Sequence, residues 1–71
     1  MKYDLVGING NAFCIMGYVI KAMKECHFSK QEQDTYYNSA TSSDYDHLLC
    51  VSIAMIDKCN EIAYKEFYSK L

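Results

Sequence analysis

The chain has 71 residues, enough for one domain, with a net charge of -2, 51% hydrophobic residues, seven Tyr and three Phe. A domain of this size buries only about 60% of its unfolded surface. Chains below about 70–80 residues seldom draw more than roughly 3–5 kcal/mol from one core, so an oligomer interface, a disulfide or a metal is expected to add to it. The apolar surplus favours the interface.

The near-neutral charge argues against DNA as a partner. All seven basic residues are lysine, so no guanidinium fork is available for phosphate or guanine. No secretory signal and no run of about 18 apolar residues is visible, which points to a cytoplasmic chain with no membrane partner. Cys14, Cys26, Cys50 and Cys59 sit in or beside apolar helical stretches and are expected as free thiols acting as small buried hydrophobes. Disulfides and zinc are the alternatives. The best zinc case joins Cys26 and His27 to His47 and Cys50, but an adjacent pair does not easily face one ion, and the usual cysteine spacing is missing. No metal and no cofactor are expected.

In chain order, Lys2 to Val6 alternates as a short strand or extended arm. Gly7-Ile8-Asn9-Gly10 then supplies a turn in which Asn9-Gly10 can take positive φ. A strand-turn-strand reading, with Leu5 to Ile8 and Ala12 to Ile15 flanking Asn9-Gly10, is an alternative. A lone strand here would find its mate in another copy. Asn11 is expected to cap a first helix reaching about Cys26, with Phe13, Met16, Gly17, Ile20 and Met23 on one face. Its other side is also apolar, so this helix reads as central, with Gly17 marking a close crossing.

His27-Phe28 makes a corner. Ser29-Lys30-Gln31-Glu32 reads as a capping box that starts a polar second helix to about Ala40. Thr41-Ser42 breaks the pattern. Ser43 with Asp46 three residues on begins a third helix that carries Leu48, Leu49, Ser52, Met55, Ile56 and Cys59 inward and runs close to the C-terminus. Ile62, Ala63, Phe67 and Tyr68 extend the apolar pattern beyond the reach of a short core, which points to docking on another subunit. Residues 1–71 therefore read as a single all-α ligand-binding domain of three helices, with a short extended or β N-terminal arm, in a homo-oligomer.

The most chemical element is the turn Gly7 to Ala12 feeding a helix, because unpaired amides and the dipole at a helix start favour a phosphate or carboxylate. It has neither the spacing of a Walker loop nor the three glycines of the dinucleotide fingerprint, and a tight turn with an ordinary cap would explain it equally well. The second element is Ser43 to His47, where Tyr45 can stack on a base while His47 donates to a phosphate or base edge; capping again accounts for much of it. Lys21 and Lys24 can supply charge to an anion or form a plain solvated face. Tyr36-Tyr37 can stack on a base or fill an interface. No serine nucleophile is arranged with His27 or His47, so catalysis is not expected.

Asp4-Leu5-Val6-Gly7, then Gly10-Asn11-Ala12-Phe13 with Met16-Gly17, and Ser43-Asp44-Tyr45-Asp46-His47-Leu48-Leu49 together resemble a family of small phage and prophage proteins, over roughly residues 3–60. The combination of separated blocks is more specific than any one of them. The resemblance implies an anti-CBASS sponge, an oligomer (dimer or tetramer) in the host cytoplasm that sequesters a cyclic dinucleotide without degrading it. On that reading the helix-start amides of Asn11 and Ala12 and the charge of Lys21 or Lys24 meet phosphates, Phe13, Tyr45 or His47 contacts bases, Gly10 counts among the ligand-binding residues, and two copies frame one pseudo-symmetric ligand. The chain departs from the pattern at Ser42-Ser43, where a small residue and often glycine is expected, and in carrying lysine where arginine is common, which puts ligand strength in doubt. The competing reading is a protein-interaction inhibitor of a host enzyme, acting through a Tyr-rich helical surface.

Overall fold

Each helix begins where a short polar side chain can take over an orphan backbone amide. In the computed structural model, which describes residues 2–69, Asn11 accepts from the Phe13 amide and starts α1 (Ala12–Glu25). Ser29 and Glu32 exchange hydrogen bonds in the expected capping box and start α2 (Lys30–Ala40). The third cap is shifted by one residue from expectation. Asp44, not Ser43, accepts from the His47 amide and starts α3 (Tyr45–Ser69), so the Ser43–Asp46 box does not form. Asp44 wins because its carboxylate places a full negative charge at the positive end of the helix.

α1 stops in a Schellman motif. The Phe28 amide donates to the Met23 carbonyl and the His27 amide to the Lys24 carbonyl, with His27 left-handed at φ 68. This is the corner expected at His27-Phe28, built without the usual glycine.

The N-terminal residues form no strand, and no strand occurs among the described residues. The hairpin alternative falls, because Ala12 to Ile15 belong to α1. The turn is also displaced: Ile8 N donates to Leu5 O, with Gly7 at φ 87 in the third position, so Gly7 takes the positive φ expected at Asn9-Gly10. Tyr3 needs no strand mate from another copy. The Asn60 side chain accepts from its amide at 2.8 Å and donates to its carbonyl at 2.9 Å. One carboxamide on α3 thus does for Tyr3 what a neighbouring strand would have done.

The three helices pack around Val19 and Met23 of α1 and Cys59 of α3, all 0% exposed, with Ile15, Met16, Tyr36, Leu48 and Ile56 about them. Ser52 and Gln33 are buried polar residues: the Ser52 Oγ lies 2.6 Å from the Tyr36 hydroxyl and the Gln33 amide donates to the Phe28 carbonyl, so these buried groups are paired. Several positions differ from their expected burial. Phe13 is 73% exposed, Gly17 is exposed with open space where a Cβ would stand, and Cys14 and Cys50 are exposed rather than buried. α1 keeps Met16 and Met23 of the expected face inward and adds Ile15, Val19 and Ala22, so the buried stripe is rotated away from Phe13 and Gly17, and Cys26 is buried just past its end. All four cysteines are free thiols. On α3, Leu48, Ser52, Ile56 and Cys59 are buried as expected, while Leu49 and Met55 are only partly so. Beyond Ala63 the helix carries Tyr64, Phe67 and Tyr68 into solvent, stacked loosely on one another. No helix among the described residues is long and apolar enough to cross a membrane.

Two outcomes follow from this core. Met23→Ala should cost roughly 2–5 kcal/mol, comparable with the whole stability of a domain this small, and Met55→Ala clearly less; urea titrations followed by far-UV circular dichroism separate them. Burial, then the neighbouring Cys26, pushes the Cys59 thiol from 9.0 up to about 12, and burial, then the bond to Glu25, raises the Tyr3 phenol above its usual 10.0. The folded chain therefore keeps protons that the unfolded chain releases. Stability is complete below about pH 9 and falls as pH rises through the range towards 12. Urea midpoints at rising pH should decline there, and the decline should be shallower for Tyr3→Phe; a flat profile would show that these groups are not protected by the fold.

Candidate functional site

The start of α1, the end of α2 and the start of α3 converge on one end of the molecule. Two contacts tie them: the Tyr45 hydroxyl donates to the Gly10 carbonyl, 35 residues away in the chain, and the His47 ring reaches the Ser39 carbonyl on α2. Tyr45 lies on the first turn of α3, whose placement follows from the Asp44 cap. Gly10 precedes the Asn11 cap, and Asn9 Oδ1 accepts from the Asn11 amide, so the approach to α1 is itself tied down. A Cβ at Gly10 would stand 3.4 Å from the Tyr45 hydroxyl oxygen, at the edge of ordinary van der Waals contact.

Between these elements lies an open groove of about 320 Å³, with Ala12, Phe13 and Met16 on one wall, Tyr37 and Ala40 on a second, and Asp44, Tyr45 and Leu48 on the third. Phe13, Tyr37 and Tyr45 remain substantially exposed, so three aromatic rings stand at one opening. Among the described lining residues the charged one is Asp44, and neither Lys21 nor Lys24 is present.

The expected site residues thus divide. Gly10, Asn11, Ala12, Phe13 and Tyr45 are brought together. Lys21 and Lys24 are exposed on α1, nine and twelve residues past Ala12, which at helical rise is about 14 and 18 Å along the axis. His47 is turned to another task. Its Nε2 lies 2.9 Å from the Ser39 carbonyl, which can only accept, so that nitrogen carries the proton and joins the Ser42 amide and hydroxyl on the same oxygen at the end of α2. Sequence reasoning left Met16 and Asp44 out of the site and offered Tyr37 only as one of a pair that could stack on a base or fill an interface. A signal existed for Tyr37: in an adjacent Tyr36-Tyr37 pair on a helix with one buried face, one ring must point outward.

A second groove, of about 390 Å³, runs between α2 and α3 over Phe28, Tyr36, Val51 and Met55, with Glu32 and Lys58 among its lining. It shares no expected site residue. Cys26, His27, His47 and Cys50 are not gathered, and no group of three or more His, Cys, Asp or Glu suited to a metal occurs among the described residues.

The first groove can offer aromatic faces to a planar ligand beside the start of α1, where the Asn11 and Phe13 amides are already taken by Asn9 and Asn11, and no cation stands among its described lining residues. Comparison with protein families, with curated proteins and with solved structures finds no match to this chain. The two polar contacts at this end predict separable effects. Tyr45→Phe should cost about 0.5–1.5 kcal/mol by removing one hydrogen bond, and should speed amide exchange around Gly10 and Asn11. His47→Ala should cost a similar amount, with faster exchange confined to the end of α2. Exchange monitored by NMR reads both, and identical patterns would contradict the assignment.

Proposed function

We propose that this chain is a non-catalytic nucleotide-binding protein of phage type, an immune-evasion sponge that sequesters a cyclic dinucleotide without cleaving it and works as a homo-oligomer in the host cytoplasm. The observation that carries this reading is the groove at the start of α1, where Phe13, Tyr37 and Tyr45 stand exposed beside a helix N-terminus. Aromatic faces receive bases with roughly 1–3 kcal/mol per stacked base and little regard to sequence, and a helix start favours phosphate. The bond to Gly10 holds Tyr45 in place before any ligand arrives, so less ordering entropy opposes binding. Sequestration needs affinity and no chemistry, which suits a site without an arranged nucleophile or base.

A second reading rests on the exposed Tyr64, Phe67 and Tyr68 at the end of α3. Such rings suit anchoring to a protein surface, here a host enzyme that the chain would inhibit.

Calorimetric titration of the purified chain with a panel of cyclic dinucleotides, with linear nucleotides as controls, tests the first reading. Binding is expected with the ligand recovered intact, a rise in thermal midpoint by mass action, and affinity weakened about tenfold or more in Phe13→Ala. No heat and no thermal shift across the panel would discard the sponge and turn the search to a host protein retained on the α3 aromatics.

A further inference from the structure

Gly17 sits in the middle of α1 with nothing within 4 Å of the place a Cβ would occupy. Packing within this chain therefore does not require glycine there, although glycine in a helix interior costs about 0.5–1 kcal/mol relative to alanine. The face around it is unpartnered: Phe13 and Cys14 are exposed, and Ile20 is only partly buried. At one end of this face stand Lys21 and Lys24, both exposed, with no ion-pair partner among the described residues. The nearby Glu25 carboxylate is taken by the Tyr3 hydroxyl at 2.9 Å. At the other end stand the Asp44 carboxylate and the rings of Phe13 and Tyr45, on one groove.

Such a face complements itself when two copies cross antiparallel at Gly17. Phe13 and Lys21 each lie four residues from Gly17, and Lys24 lies seven. Within α1 these are helical same-face spacings, about 6 and 10 Å from the crossing. A two-fold axis at Gly17 therefore sets Phe13 against the partner's Lys21, with the partner's Lys24 beyond it towards the turn that precedes α1. Cations then meet aromatic faces and the Asp44 carboxylate at both ends of the contact, and glycine at the centre lets the backbones approach.

We propose that a second copy of this chain packs antiparallel on the exposed face of α1, crossing at Gly17, and that the partner's Lys21 and Lys24 supply the positive charge the groove at Phe13 and Tyr45 lacks. Each groove is then shared between two copies and occurs twice in the dimer, on opposite sides of the crossing. The role of the lysines toward phosphate rests on the nucleotide reading above; the interface itself does not.

The test is light scattering of the full-length chain without nucleotide. The wild type is expected to show a multiple of the monomer mass. Gly17→Arg should halve that mass while keeping the helical circular dichroism spectrum, because the side chain enters open space in the single chain. The double substitution Lys21→Glu with Lys24→Glu, at exposed positions, should raise the dissociation constant at least tenfold at low salt. A monomeric wild type, or an unchanged mass in Gly17→Arg, would overturn the interface. Unchanged association in the lysine double variant would overturn the placement of the lysines. Adding a cyclic dinucleotide separates the two claims: a dimer dissociated by Gly17→Arg that binds no cyclic dinucleotide refutes only the function, whereas a monomeric wild type that binds one refutes the interface and its shared groove and leaves the function standing.

Discussion

Val19 and Met23 on α1, Cys59 and Ser52 on α3 are the side chains that water does not reach at all, and the placement of everything else depends on this patch. It brings α1 and α3 together, which puts Asn60 beside Tyr3 and so holds the N-terminal residues without a sheet. It also requires a small polar residue at Ser52, because the Tyr36 hydroxyl from α2 would otherwise be buried without a partner. One contact region thus fixes two helices directly, the third through a hydrogen bond, and the N-terminal segment through a carboxamide. With so few residues in the core, no second cluster shares the load.

Much of this fold was legible in the residues because helix starts are local chemistry. Asn11 and the Ser29 to Glu32 box depend on side chains within three residues of the amides they satisfy. The third start was displaced by one position because Ser43 and Asp44 are both able to cap, and the choice falls to the charge on Asp44. What could not be read was the rotation of α1. Its apolar residues surround the axis, so periodicity alone does not say that Ile15 and Val19 face inward while Phe13 and Gly17 face out. That decision belongs to contacts with α3 and Tyr3, made by residues far along the chain.

The groove shows the same division. Gly10 to Phe13 stood out as a helix start and Tyr45 as an aromatic on another, but nothing local relates them across 35 residues. Their meeting depends on the lengths of α1 and α2 and the corner at His27, which together return the chain to its starting end. His47 stood out for the same reasons as Tyr45, yet two residues further along the helix it is rotated towards the end of α2, where it shares the Ser39 carbonyl with Ser42. Lys21 and Lys24 are on the right helix but too far down it to serve the groove of their own chain.

α3 is 25 residues long, about 37 Å at helical rise, and nearly spans the 42 Å long axis of the molecule. Its last buried side chain is Cys59, with Ile62 and Ala63 at the core's edge. The final turns therefore rest on helix propensity, the Glu61–Lys65 pair, loose ring contacts and an exposed approach of Glu66 to His27 at 4.0 Å, and surface interactions of this kind are worth a few tenths of a kcal/mol each. A single continuous helix thus joins two levels of stability: a long packed part, Tyr45 to Ala63, whose opening costs as much as unfolding the domain, and a short end, Tyr64 to Ser69, whose opening costs far less.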